Sequence, residues 1–276
     1  MINTDIEIKP RKPFFTPLTA IIIFIYLFPS LVVGLIFPLV VQYPLARYLV
    51  TILANILFAA AALWAMKKDG ITLKDIGLDL RNAWQALVMV VGFWLLMTLV
   101  YFVIAGQSGL QIASTLDKIL QQWLFVGLGE ELLFRGYLLN RLVRSFAKLG
   151  KRGSVAAGVA LSSLIFATFH IPVRLFTGFD LVQMLISMGM VFIIGVFFSY
   201  IFLRTRNILF TALIHGGWNA PLMGAPSDFI QMAAGVVVVE ASAAVSRFTR
   251  HKAPDVVSTG PIPKSARPSL PAHCCI

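Results

Sequence analysis

Apolar segments about as long as a membrane crossing follow one another along most of this chain. A helix needs roughly 20 predominantly apolar residues to cross the hydrocarbon of a bilayer, which is about 30 Å thick. Only 13% of the residues are charged, whereas a soluble domain carries about 25%. The sequence therefore predicts an all-α membrane protein, a polytopic bundle of about eight transmembrane helices. The predicted spans are residues 18–41, 48–66, 84–105, 121–140, 155–172, 181–203, 207–224 and 228–246.

The 23 Lys and Arg residues lie mainly beside the ends of these segments. Such residues set membrane topology and meet anionic headgroups, so the net charge of +11 does not indicate a nucleic-acid partner. With the N-terminus inside, only Arg47, Lys118 and Arg174 fall on the outer side, and Arg135 falls within a span. We therefore expect a multi-pass protein of the cell membrane, surrounded by the lipid bilayer, with both termini cytoplasmic.

The chain divides into one long helical region and a tail of different composition. Residues 1–250 are expected to form a single transmembrane helical domain. Residues 251–276 contain five prolines among Ser, Lys and Arg, a composition typical of disordered segments, so we expect a disordered cytoplasmic tail. The two cysteines, Cys274 and Cys275, are adjacent at its end and predict neither a metal site nor a disulfide framework.

Charged residues interrupt the fourth span, where Glu130, Glu131 and Arg135 follow within six residues. Each charge at the centre of a bilayer costs about 2.5–3.5 kcal/mol on insertion scales, so such residues need a role. Glu131 and Arg135 share a helix face and can pair. That pair can serve catalysis or only fix helix packing. Glu130 points about 100° away from Glu131 and has no partner nearby in sequence.

Two further spans carry polar groups. His170 follows Phe166 by four residues at the end of the fifth span, where Pro172 is expected to end or break the helix. His215 and Asn219 share one face of the seventh span, and the two glycines between them allow another backbone or a substrate to approach closely. Taken singly, these residues also suit an interfacial histidine, an interhelical hydrogen bond and ordinary packing of Phe166. Glu240, in the eighth span, has no neighbouring motif and is left unexplained.

Together these residues resemble the motifs of the CAAX-protease and bacteriocin-processing (CPBP, or Abi) family of intramembrane peptidases. The motifs are Glu-Glu-x-x-x-Arg, Phe-x-x-x-His and His-x-x-x-Asn, in the order and spacing found here. The resemblance covers about residues 84–246, leaving the first two spans and the tail outside it. It implies a membrane-embedded endopeptidase whose substrate is a peptide or protein in or at the membrane. The residues that the motifs supply are Glu130, Glu131, Arg135, Phe166, His170, His215 and Asn219.

The resemblance also implies a mechanism. Glu130, helped by His170, would activate the attacking water, while His215 and Asn219 would stabilise the oxyanion. Glu131 and Arg135 would hold the helix and its electrostatics in place. A rival account within the family places a zinc ion on Glu130, His170 and His215, with a fourth position open for water. The residues fit both accounts, although the His-Glu-x-x-His helix of common zinc peptidases is absent.

Two other classes of function suit a membrane bundle with buried polar groups. The chain could be a non-enzymatic immunity or scaffold protein that keeps the motifs for structure. It could also be a transporter that uses buried acids as a proton relay, although no paired repeats with interrupted helices are visible in the sequence. Endopeptidase activity is the hypothesis that accounts for all three motifs together.

Overall fold

In a computed structural model, nine helical segments account for most of the residues described, which are 16–105, 114–221 and 227–252. No strand occurs in these ranges. The predicted disordered tail lies outside them, except for two residues that extend the last helix to Lys252. The helices are α1 (Pro17–Val40), α2 (Pro44–Asp69), α3 (Leu80–Ala105), α4 (116–145), α5 (Gly150–Phe169), α6 (Ile171–Phe176), α7 (Leu181–Thr205), α8 (Ile208–Asn219) and α9 (Asp228–Lys252).

Five of these segments are long and apolar enough to cross a membrane. They correspond to the first, second, third, fifth and sixth predicted spans, so an all-α membrane bundle is confirmed. Their outer faces carry many exposed leucines and valines, such as Leu95, Val103 and Leu185. In water such a surface would be unfavourable, but it is the expected surface of a protein solvated by lipid.

The seventh predicted span is shorter than expected. Helix α8 ends at Asn219 and has 12 residues, a length of about 18 Å at 1.5 Å per residue. Pro221 disfavours helical geometry at the residue before it, and Ala220 indeed leaves the helix with φ −138° and ψ 78°. The described part of this span therefore falls short of the hydrocarbon thickness.

Helix α4 lies at the centre of the bundle. Every residue from Gly129 to Asn140 is buried, because α2, α5, α7 and α8 all contact this helix. One apolar cluster packs it against α1, α2 and α5, and a second joins α3, α7, α8 and α9 on the other side. Glu130, Glu131 and Arg135 of α4 thus lie in the protein interior and are shielded from lipid.

The breaks between helices follow familiar local chemistry. Gly70 ends α2 in the left-handed region, with φ 67°. Asp180 begins α7 with a capping box. The Asp180 side chain accepts a hydrogen bond from the backbone N–H of Gln183, and the Gln183 side chain accepts one from the backbone N–H of Asp180. The helix before Pro172 ends at Phe169, as predicted, and α6 begins with this proline in its first turn.

Candidate active site

The two acids of α4 lie on a short α-helical turn between two π-helical segments. The turn is Gly127–Glu131, and the flanking segments are Gln121–Val126 and Leu132–Leu139. π-helical segments are rare in proteins as a whole, but those that occur are often found at functional sites. Within the second segment, the Asn140 amide donates to the carbonyls of Arg135 and Gly136, at 3.0 and 2.9 Å. The sequence motifs did not predict this geometry.

Glycines bring neighbouring backbones against this turn. A Cβ on Gly127 would overlap the carbonyl oxygen of Ala212 in α8, and one on Gly129 would lie 2.6 Å from the carbonyl oxygen of Asn55 in α2. Gly216, between His215 and Asn219, similarly meets the backbone of Trp123. The predicted close approach of another backbone is therefore confirmed at Gly216, whereas Gly217 meets the side chain of Trp94. Small residues let three helices converge on the acids.

Glu131 joins α4 to α8 through its carboxylate. Its Oε1 atom accepts a 2.8 Å hydrogen bond from Nη1 of Arg135 and lies 2.8 Å from Nδ1 of His215. The other terminal nitrogen of Arg135 donates to the carbonyl of Gly195 in α7, at 3.0 Å. The predicted Glu131–Arg135 pair is confirmed. It also has a partner that the sequence did not reveal, since the carboxylate holds the imidazole of a remote helix.

Glu130 faces the opposite nitrogen of the same imidazole. Its Oε2 atom lies 3.8 Å from Nε2 of His215. This oxygen is fully buried and has no hydrogen-bond partner among the described residues. The two adjacent acids thus flank one histidine, with Glu131 bonded to Nδ1 and Glu130 beyond direct hydrogen-bond distance of Nε2. A water or substrate atom held by both groups would therefore lie to one side of the line that joins them.

The side chain of Phe166 connects the three motifs. Its ring lies 4.4 Å from the Arg135 guanidinium carbon and 4.9 and 5.8 Å from the rings of His170 and His215. Sequence depth placed His170 about 8 Å nearer the outer side than Glu130 and His215. Despite this offset, both imidazoles pack against the same phenyl ring. The simplest interpretation of Phe166 from the sequence was a packing residue, and in the structure it packs against Arg135, His170 and His215.

His170 lies at the junction of α5 and α6, where the helix direction changes. Its Nδ1 atom lies 2.8 Å from the carbonyl oxygen of Phe166. Because a carbonyl oxygen can only accept a hydrogen bond, Nδ1 must carry the proton. The ring is half-buried, and its Nε2 atom is then left with a lone pair. This tautomer suits a base that takes or shares a proton.

Asn219 is placed differently from the other motif residues. It is the last residue of α8 and is exposed, one turn beyond His215. The neighbouring backbone is held by Trp123, whose Nε1 donates to the carbonyl of Ala220 at 2.9 Å. Asn219 therefore lies at the rim of the buried cluster.

Glu240 belongs to a separate cluster. Its carboxylate accepts hydrogen bonds from both Nε and Nη2 of Arg204, at 2.7 and 2.6 Å, and one from the Tyr200 hydroxyl at 2.7 Å. The pair ties α9 to α7. This contact explains the acid that the sequence analysis left open, and it assigns Glu240 a packing role outside the site.

A known protein family matches the region of the chain that contains the three motifs. Residues 112–221 match the family model described as type II CAAX prenyl endopeptidase, Rce1-like. The resemblance to the CAAX-protease family is thereby confirmed. The match covers less than half of the chain, but it includes α4 to α8 and therefore all three motifs. No curated protein and no solved structure shows significant similarity to the chain.

The donor set of the CAAX-type motifs can be tested for a metal. Among the described residues, no three His, Cys, Asp or Glu side chains are placed so that they could hold a metal ion. Glu130 and His215 approach each other. Both His170 and His215 use Nδ1 for an internal hydrogen bond, which leaves Nε2 of each ring as the nitrogen that could bind a metal. These side chains as placed do not converge on one point, and a zinc ion on Glu130, His170 and His215 stays a prediction.

Several residues around the acids were missed by the sequence analysis. Asn55 of α2 is buried beside Gly129, and its Oδ1 atom has no hydrogen-bond partner among the described residues. Phe198 of α7 stacks on His215, with ring centroids 4.8 Å apart and planes at 24°. An asparagine in the middle of an apolar span was a visible signal. Phe198 gave no such signal, because it is one of 22 phenylalanines in the sequence.

Proposed function

We propose that this protein is an intramembrane endopeptidase of the CAAX type. The observation that carries the proposal is the buried arrangement of Glu131, His215 and Glu130, in which one imidazole is held by one acid and faces the other. A buried group of this kind is costly in a membrane protein unless it serves function. The matched family consists of endopeptidases, and hydrolysis is the chemistry for which these side chains are suited.

In the proposed reaction, Glu130 takes a proton from a water held beside it, and the water oxygen attacks the carbonyl carbon of the scissile peptide bond. His170, through its unprotonated Nε2, helps to orient that water. The Glu130 carboxyl then returns the proton to the leaving nitrogen as the C–N bond breaks. One carboxylate therefore acts first as a base and then as an acid, and no proton is gained or lost overall.

The oxyanion formed by this attack needs hydrogen-bond donors. His215 can donate from Nε2 when its ring carries both protons, a state that the Glu131 carboxylate at Nδ1 stabilises electrostatically. Asn219 would donate its side-chain amide from the rim. Arg135 neutralises Glu131, so that two acids, one arginine and one imidazolium balance in charge. Glu131 and Arg135 are positioning residues in this scheme.

The test uses the full-length protein in proteoliposomes with a farnesylated CAAX peptide that carries a fluorophore and a quencher. We expect Glu130→Gln, which keeps the shape of the side chain but removes the base, to lower cleavage by on the order of 10²–10⁴-fold. Glu240→Gln, outside the site, is the matched control and should retain activity. Equal cleavage by both variants would remove Glu130 from the mechanism.

The same variants separate the rival functions. A scaffold or immunity protein predicts that partner binding survives Glu130→Gln, and a proton-coupled transporter predicts solute flux in the proteoliposomes. Absence of cleavage by the unaltered protein, together with either of these results, would favour the corresponding alternative over the peptidase.

A further inference from the structure

Three segments that are distant in sequence meet at the end of the bundle where α2 stops. Tyr137 of α4 donates to Oδ2 of Asp69, the last residue of α2, at 2.9 Å. A Cβ on Gly77, in the connection between α2 and α3, would overlap the carbonyl oxygen of Arg206, at the corner between α7 and α8. This end of the molecule also carries most of the basic residues predicted to face the cytoplasm.

Two arginines of α4 have different surroundings at this junction. Arg141 forms an ion pair with Asp69, with Nε and Oδ2 3.1 Å apart. Arg144 instead donates from Nη1 to the backbone carbonyl of Asp69 at 3.2 Å. Its Nε atom is buried and has no hydrogen-bond partner within the described part of the chain. Arg144 is therefore held in place but has no carboxylate within ion-pair distance in those segments.

Arg206, which is near enough to Arg144 for the two charges to interact, is held in an unfavourable backbone conformation. It is the only non-glycine residue with positive φ in the described ranges, at 50°, and this region costs roughly 1–2 kcal/mol for a side-chain-bearing residue. Its Nη1 atom is buried without a hydrogen-bond partner in those ranges, and the guanidinium lies 5.5 Å from the ring of Phe202. A strained backbone thus aims a cation into a half-buried position.

Asp75 is the acid that acts on both arginines, and it is already engaged elsewhere. Its Oδ2 atom accepts hydrogen bonds from the backbone N–H and the hydroxyl of Thr72, at 2.7 and 2.9 Å. Burial acts to raise the pKa of Asp75, but the Thr72 hydrogen bonds and the charges of Arg144 and Arg206 hold it below its usual value. One carboxylate therefore lies near two guanidinium groups without forming an ion pair with either.

We propose that Arg144 and Arg206 form a binding site for a phosphate group. The buried N–H groups without partners are donors of the planar kind that pairs with phosphate oxygens. An anion bridging the two guanidiniums would also compensate the excess positive charge. The site lies where α2 and α7 end, at the level expected for lipid headgroups. The phosphate can belong to a lipid headgroup or to a soluble phosphate, and the proposal is independent of the peptidase activity.

The test measures binding to the full-length protein in neutral detergent at constant ionic strength. The probes are inorganic phosphate, short-chain phosphatidic acid and short-chain phosphatidylcholine. We expect Arg144→Gln and Arg206→Gln each to weaken binding of the phosphate probe by about tenfold, the loss of one charge-assisted hydrogen bond. Lys151→Gln, which removes an exposed charge nearby in sequence, is the control and should leave the affinity unchanged.

Asp75→Asn supplies a readout that misfolding cannot imitate. Asparagine still accepts from Thr72, but it no longer competes for the arginines, so phosphate affinity should rise. Binding of phosphatidic acid without inorganic phosphate assigns the site to lipid headgroups, and binding of both shows that the phosphate group alone suffices. The proposal is overturned if no probe binds, if Lys151→Gln weakens binding equally, or if Asp75→Asn lowers or leaves unchanged the affinity.

Discussion

Nδ1 of His215 lies 2.8 Å from the same Glu131 oxygen that accepts the hydrogen bond of Arg135. This one atom therefore connects an ion pair within α4 to the histidine of α8. Both partners of Glu131 are buried, so that its removal leaves a cation and an imidazole without their acceptor. We therefore expect Glu131 to stabilise the fold and also to position His215, and two substitutions test these roles.

We expect Glu131→Ala to destabilise the protein by about 3–5 kcal/mol, because it leaves the Arg135 guanidinium as an uncompensated buried charge. Thermal or denaturant unfolding in detergent measures this loss. Glu240→Ala removes an ion pair whose acid is half exposed, and such pairs contribute about 0–1 kcal/mol. Similar losses in the two variants would contradict the difference in burial.

A second variant tests the positioning role, with activity expressed per amount of folded protein because Arg135 again loses its countercharge. Glu131→Gln keeps an acceptor for Nδ1 of His215 but removes the negative charge that stabilises an imidazolium. We expect kcat to fall with little change in KM, because the oxyanion donor is affected only in the transition state. Steady-state kinetics on the peptide probe distinguish this from a purely structural effect, which would lower the active fraction and be matched by the loss of folded protein.

The local features of the site could be predicted from the sequence, and the remote ones could not. Glu131 and Arg135 are four residues apart in one helix, so helical geometry alone brings them together. His215 reaches Glu131 across 84 residues, and Glu240 reaches Arg204 across 36. No periodicity within one span specifies which face of another span it will meet.

The hydrophobic pattern of the sequence also could not predict the π-helical segments of α4. Apolar composition predicts a helix, but the π-helical segments on both sides of the acids depend on how carbonyls such as those of Arg135 and Gly136 find donors. The length of α8 was overestimated for a related reason, since hydrophobicity continues past Asn219 while Pro221 ends the helix.

Gly129 should tolerate no side chain. A Cβ at this position lies 2.6 Å from the Asn55 carbonyl oxygen, whereas one at Gly136 in the same helix has nothing nearer than 3.7 Å. We expect Gly129→Ala to cost about 1–3 kcal/mol through overpacking, and also to reduce cleavage because it moves the adjacent Glu130. Gly136→Ala should be nearly neutral, and unfolding measurements on the pair provide the comparison.

The topology predicted from the basic residues can be tested with single cysteines. In the structure, Tyr48 and Gln121 are joined by a hydrogen bond at one end, and Asp69 and Arg141 form an ion pair at the other. After Cys274 and Cys275 are replaced by serine, a cysteine at exposed Lys74 should be shielded from an impermeant thiol reagent in intact cells. A cysteine at Thr177 should react with the reagent. Reaction at position 74 with protection at position 177 would show that the orientation is the reverse.

The last prediction concerns the metal. Because no three metal-ligating side chains converge in the described residues, we expect active protein to contain less than one zinc ion per chain. Cleavage should then survive prolonged treatment with a strong chelator. The measurements are elemental analysis of the purified, active protein and the cleavage rate before and after chelation. Stoichiometric zinc, with activity lost on its removal and restored on its return, would show that Glu130, His170 and His215 rearrange to bind the ion.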